Sequence, residues 1–135
     1  MDFYKKLRKS GLKVTPQRLM ILDIISKGGH IDIEEIYKRL REMIPTISIA
    51  TVYKNIKVLE EKGIISEVNI SSFKSLYEVN NKKHIHLVCN ICKKIRDIFC
   101  DEELIKRNLK RSVNLDFETF DIILYEKCKN CSEKF

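Results

Sequence analysis

The chain has 135 residues, 44% of them apolar and 33% charged, with a formal net charge of +7. That length suits one domain or two small ones, the apolar share excludes a disordered chain, and no apolar run approaches the roughly 20 residues of a membrane span. The first residues, MDFYKKLRKSG, lack the apolar stretch of a signal peptide, so a cytoplasmic protein with no membrane contact is expected.

The charge is uneven. Residues 1–83 carry 16 Lys/Arg against 10 Asp/Glu, whereas residues 84–135 carry 10 against 9. A basic half invites a polyanion partner, nucleic acid above all, although charge alone leaves a solvated lysine-rich surface equally open. In chain order, Thr15 and Pro16 read as a helix start, with QRLMILDIIS following and ending at Gly28-Gly29. IDIEEIYKRLREM places Ile33, Ile36, Tyr37 and Leu40 on one helical face, and Pro45 stops it. Ser48 caps a third helix, IATVYKNIKVLEEK, which ends at Gly63 with an expected buried stripe of Ile49, Val52, Ile56 and Leu59. IISEVNI and SLYEV then read as two strands joined by SSFK.

Three helices followed by a strand pair is the order of a winged helix-turn-helix. On that reading the helix 48–62 enters the major groove, and its outward residues Ala50, Thr51, Tyr53, Lys54 and Lys57 suit phosphate and base contacts. An ordinary amphipathic surface helix is the plainer alternative. NNKK, residues 80–83, is a polar hinge between a domain at 1–79 and a second at 84–135. In the second, HIHLV and KIRDIF read as strands, DEELIKRNLKRSV as a helix from Asp101, and FETFDIILYE as a last strand. The fold class is thus α+β, and the small second unit, with its exposed strand edges, calls for a second copy of the chain to make a homodimer.

Four of the five cysteines form two Cys-x2-Cys pairs, Cys89/Cys92 and Cys128/Cys131, while Cys100 is left over. Two such pairs close a thiolate tetrahedron on one structural Zn2+ per chain. Lys93 stands where a glycine often eases the turn of such a knuckle, and no glycine occurs after residue 63. On a strand over 84–89, His84 and His86 face one way and Cys89 the other, which argues for two sites back to back. If Cys89 lies opposite Cys92, Asp97 falls across from His84. Glu78 is a possible further ligand, and His30 is the only remaining histidine. A mixed imidazole and carboxylate set suits Fe2+, Mn2+ or Zn2+, although His84 and His86 could also be plain surface imidazoles.

The stretches GLKVTPQR, HIDIEEIYKRL, ISIATVYKNIKVLEEKGI and HIHLVC–IC, with the late Cys-x2-Cys, resemble the ferric uptake regulator family over essentially the whole chain. The resemblance implies a dimeric, metal-dependent repressor of double-stranded operator DNA, with an N-terminal winged-helix domain and a C-terminal α/β dimerisation domain. It implies structural zinc at Cys89, Cys92, Cys128 and Cys131, and a regulatory site for Fe2+ or Mn2+ (Zn2+ being able to enter in vitro) at His30, Glu78, His84, His86 and Asp97. Tyr53 and Lys54 map to major-groove contacts and Lys13 to a minor-groove contact, with Arg18 of the same stretch counted among the DNA-binding residues. Lys83, Ile85, Thr119 and Phe120 occupy the places of a further His/Asp site found in some members. Asp97 resembles the peroxide-sensing branch, in which iron-catalysed oxidation of His30 or His84 ends repression, whereas Glu78 points weakly toward the iron-uptake regulators. An iron, or less readily zinc, uptake regulator is therefore the alternative. A reading from another class is a small metalloenzyme using His84, His86 and a carboxylate around an open position; against it, the basic helix would have no use and no separate general base stands out.

Overall fold

The computed structural model describes residues 2–70, 74–80 and 82–134. The chain divides into two compact units, Met1–Asn80 and Asn81–Phe135, and the class is α+β, as expected.

The first unit opens with a helix that the sequence reading did not assign, α1 (Phe3–Lys9), started by Asp2, whose carboxylate accepts from the Lys5 amide. Seven residues are too few to display a helical period, yet Leu7 on this helix is fully buried. α2 (Pro16–Gly28) begins where Thr15 accepts from the Arg18 amide at 3.2 Å and Pro16 fills the first turn. Gly29 ends it at φ 75°, a conformation that only glycine adopts without steric cost. α3 (Ile33–Met43) is capped by Asp32, which accepts from the Glu35 amide at 2.8 Å, and it carries Glu34 and Glu35 at its positive end.

α4 (Ile49–Glu61) is capped by Ser48 and buries Val52, Ile56 and Leu59. Ile49 is a correction: expected in that stripe, it is 41% exposed. The place on the core is taken by Ile47, one residue before the cap, which is buried in the same cluster as Val52. Residues in those two positions pack together and fix how the chain enters a helix. β1 (Ile31–Asp32), β2 (Ile65–Val68) and β3 (Leu76–Val79) form an antiparallel sheet in the order β1-β3-β2. β2 and β3 are the anticipated strand pair. Residues 71–73 of the expected SSFK turn lie outside the described residues.

The second unit has β4 (His84–Cys89), β5 (Ile95–Phe99), α5 (Glu102–Val113), β6 (Ile123–Glu126) and α6 (Lys129–Lys134). β4 is central, antiparallel to β5 and parallel to β6, which returns by way of α5. α5 starts one residue after Asp101, the expected first residue, which instead caps it, and ends at Asn114 in the left-handed conformation. The last strand is shorter than the expected span over 117–126. Phe117 and Phe120 meet edge to face with ring centres 6.1 Å apart, and the Phe120 carbonyl accepts from the Lys83 ammonium. Ladder pairing then starts only at Ile123, opposite His86.

The β4–β5 register is a second correction. Cys89 does not face Cys92; its amide donates to the Lys94 carbonyl at 3.0 Å, so the knuckle takes four residues, 90–93. His86 therefore faces Asp97, and His84 faces Phe99. A slip of two residues preserves the face of every side chain, because the strand period is two, so Asp97 still meets the histidines.

Candidate metal centres and nucleic-acid surface

Cys89 ends β4 and is buried, while Cys92 sits exposed on the knuckle. Cys128 precedes α6, and Cys131, on its first turn, is 5% exposed. The knuckle turns because Lys93 adopts φ 65°, letting its amide donate to the Cys89 carbonyl at 3.0 Å. This turn is therefore made by a lysine in the left-handed region rather than by a glycine.

The four sulfurs lie within 4.8 Å of one another. The Cys89–Cys131 and Cys92–Cys128 separations are 3.8 Å and 3.7 Å. Zinc–thiolate bonds of about 2.3 Å in a tetrahedron require edges of about 3.8 Å, so this donor set fits zinc with no open position. The amides of Cys128 and Ile91 both point at the Cys89 sulfur at 3.4 Å. Such donors favour a thiolate: the Cys128 amide first and the Cys92 amide next lower the Cys89 thiol to about 5. Cys131 is pushed up to about 12, by the Cys128 thiol first and then by burial. The amides aimed at its sulfur thus favour the thiolate at Cys89, and a bound cation would deprotonate the rest.

The mixed ligand types fall in both units. In the first, His30 follows the Gly29 cap, and Glu78 projects from β3 with only 8% of its surface exposed. Their Nε2 and Oε2 atoms are 3.0 Å apart. A nearly buried carboxylate requires a charged or hydrogen-bonding partner, and this one has an imidazole. In the second unit the Nε2 atoms of His84 and His86 are 3.1 Å apart, and Asp97 Oδ1 stands 3.6 Å and 3.9 Å from them. His84 Nδ1 is 2.9 Å from the Lys82 carbonyl. A carbonyl can only accept, so Nδ1 carries a proton, and Nε2 is the ring nitrogen turned toward His86 and Asp97. The Phe99 ring backs His84 at 5.4 Å.

Lys83 has a definite occupation. Its ammonium donates to the Phe120 carbonyl and to Asp121 Oδ1 at 3.0 Å, and it lies 5.0 Å from the Phe120 ring centre. A fixed side-chain cation thus holds the segment before β6 against the start of β4.

On α4, Ala50, Tyr53, Lys54 and Lys57 are exposed, Tyr53 at 52%. Thr51 is half-buried and bonded to Ser48. Lys13 is exposed. Arg18 acts differently from the others: its guanidinium donates to the Lys13 carbonyl at 2.7 Å and to Asn55 Oδ1 at 3.3 Å, bracing the loop before α2 against α4. The sequence reading missed Asn55 and Tyr77. Tyr77, on β3, joins Tyr53, Lys54, Ile56, Lys57 and Glu60 around a cavity of 350 Å³ beside α4. Burial, and then Glu67 and Glu60, raise the Tyr77 phenol above its ordinary value. Only the alternation of SLYEV hinted at its facing. Among the described residues no helix is long and apolar enough to cross a membrane.

The family model described as the ferric uptake regulator family matches residues 9–125. The peroxide-responsive repressor PerR of Staphylococcus aureus is 34% identical over 130 residues, covering 95% of this chain and 88% of that protein. Among solved structures, the peroxide stress regulator of Campylobacter jejuni is 36% identical with a TM-score of 0.73, covering 97% of this chain and all of that one. The ferric uptake regulator of Vibrio cholerae is 32% identical with a TM-score of 0.72, covering 94% of this chain and all of that one.

Proposed function

The chain belongs to the ferric uptake regulator family, whose members are transcriptional regulators rather than enzymes, and on that footing we propose that it is a homodimeric, metal-dependent repressor that senses peroxide. The observation that carries the metal dependence is the paired set of ligand atoms: His30 with Glu78 on the first unit, and His84, His86 and Asp97 on the second. In the proposed active state all five hold one Fe2+ or Mn2+. His84, His86 and Asp97 alone would leave positions open on such an ion, and His30 and Glu78 would fill them. Zinc at Cys89, Cys92, Cys128 and Cys131 is structural. Lys13, Ala50, Thr51, Tyr53, Lys54 and Lys57 contact operator DNA from a winged-helix domain, with Arg18 as their brace. The protein works in the cytoplasm, where the operators are.

The homodimer is supported by what the second unit leaves uncovered. Ile98, Phe99, Leu104, Val113, Leu124 and Tyr125 are each 37–52% exposed in the single chain. α5 has no buried residue at all. Apolar exposure on that scale marks an association surface.

Peroxide sensing rests on Asp97 and on the two peroxide regulators at 34% and 36% identity. Iron(II), when bound, supplies the reducing electron for peroxide. The chain would supply the imidazoles of His30 and His84, one of which takes a single peroxide oxygen in a two-electron oxidation of the ring, the other oxygen leaving as water, and so ceases to be a ligand. The oxidation happens once per molecule, so it is a switch and not turnover. Glu78 and the Vibrio cholerae relative favour a second reading, an iron uptake regulator.

Two measurements test these readings, the first the metal dependence that both share and the second the choice between them. DNA affinity, on a duplex selected from a random pool, is expected to rise with manganese or iron and to fall with salt at a slope of about −0.9 per phosphate neutralised. An affinity indifferent to metal would discard the regulatory site. Low peroxide is expected to add one oxygen to the His30 or His84 peptide in iron-loaded protein and none in manganese-loaded protein. No gain at those peptides would leave the uptake regulator.

A further inference from the structure

Asn80 is the last residue of the first unit and lies two residues beyond Glu78. All its polar atoms are engaged. The amide donates to the Ile64 carbonyl at 2.9 Å, and the carbonyl accepts from Lys6 Nζ of α1 at 3.2 Å. The side-chain Nδ2 donates to the Gly63 carbonyl at 2.6 Å, and Oδ1 accepts from the Ser66 hydroxyl. A surface asparagine at the edge of a polar linker would ordinarily satisfy most of these groups with water.

The partners are not scattered. Gly63 and Ile64 directly follow Lys62, the C-cap of α4, and Ser66 is on β2. Glu78 pairs with Ser66 and Val79 with Ile65, so the Asn80 amide extends the β2–β3 ladder past the end of β3. The side chain then reaches one residue further, to the left-handed glycine that ends the helix carrying the DNA contacts. One hydrogen-bonded run therefore links the backbone of Glu78, the start of the linker and the end of α4.

We infer that Asn80 is a positioning residue that couples metal binding to DNA binding by fixing the start of the linker to the C-terminal end of α4. The inference rests on the function proposed above. A linker attached by a freely rotating residue would absorb any displacement that metal binding imposes on the second unit. Attachment at the α4 end transmits that displacement to Tyr53, Lys54 and Lys57. Coupling of this kind is a free energy shared by two sites, commonly corresponding to a 5- to 150-fold change in affinity.

The test uses full-length, zinc-loaded protein and a duplex selected by the manganese-loaded wild type. Manganese affinity, and DNA affinity with and without manganese, are measured for wild type and Asn80→Ala, which keeps both backbone bonds and loses both side-chain bonds. The expected result is manganese affinity and metal-free DNA affinity within about twofold of wild type, with the manganese-induced gain in DNA affinity cut by at least about fivefold. An unchanged gain overturns the inference. So does an equal loss of DNA affinity with and without manganese, which is what a merely structural role predicts. Should Asn80→Ala not stay folded through the assay temperature, Ser66→Ala carries the test: a partial loss of the gain supports the coupling, and an intact gain overturns it. A wild type with no manganese-induced gain removes the proposed function and this inference together, whereas a wild-type gain that survives in both variants removes this inference alone.

Discussion

The two units solve the problem of staying folded in different ways. The first buries Leu7, Ile21, Leu22, Ile25, Ile36, Leu40 and Leu59 almost completely, in a core closed by four helices and a sheet. The second, among its described residues, buries only Val88, Cys89 and Cys131. Two of those three are candidate zinc ligands, so the nearest thing to a core in the second unit is the metal cluster itself. Small domains lacking apolar area need such a staple, or a partner. The first unit can be self-sufficient; the second is expected to depend on zinc and on its copy.

Removing zinc gives the largest expected effect. Bound structural zinc contributes on the order of 10 kcal/mol, as much as the whole stability of a typical domain. Cys92→Ser, or strong chelation, is expected to strip hydrogen-exchange protection from β4, β5 and β6 while leaving it in α2, α3 and α4. Cys92 is the informative choice because it is exposed, so serine there leaves no core cavity. Protection that survives in β4 would mean the second unit has a hydrophobic core of its own, and the contrast between the units would fail.

Next in size is the uncovered apolar surface. Leu104 on α5 is 47% exposed in the single chain. In a monomer Leu104→Asp changes little, since both residues are solvated. In a dimer that covers this face, each copy would bury an unpaired carboxylate, which costs several kcal/mol. Sedimentation of the zinc-loaded variant should show dissociation at concentrations where wild type is paired, with each 1.4 kcal/mol raising the dissociation constant tenfold. A variant that dimerises as well as wild type places the interface elsewhere.

What could be read from sequence differs between the units for the same reason. In the first, caps and periodicity are local signals, so Thr15, Ser48 and the stripes of α3 and α4 were visible as residues three and four apart. The misses there were elements too short to carry a period, α1 and β1, and Ile49, where a rule about helix faces yielded to the entry geometry set by Ile47. In the second, the cysteine spacing announced a four-sulfur cluster because ligand geometry constrains spacing tightly. The β4–β5 register did not announce itself, since it depends on how many residues the knuckle spends, and a turn built on Lys93 leaves no mark of the kind a glycine would. Asp97 was nevertheless placed on the correct face, because an error of two residues in a strand is invisible to alternation. The beginning of FETFDIILYE does not form strand because Lys83, far away in sequence, takes the Phe120 carbonyl.

The smallest expected effect concerns backbone strain. Gly11, Gly29 and Gly63 supply the positive-φ turns of the first unit, at 80°, 75° and 71°. The second unit makes its own with Lys93 at 65° and Asn114 at 54°. Asparagine tolerates that region, but a lysine there costs about 1–2 kcal/mol. Lys93→Gly relieves the strain and gives back part of it as extra freedom in the unfolded chain, leaving a net gain of roughly 0.5–1 kcal/mol. In zinc-loaded protein that is a rise of a few degrees in the second unit's melting temperature. Lys93→Ala, which keeps a Cβ, should give no such rise. An equal rise in both variants would trace the effect to removal of a positive charge beside Lys94 instead. A rise in the glycine variant alone would show that the second unit, already short of apolar core, also carries strain in the turn that presents Cys92.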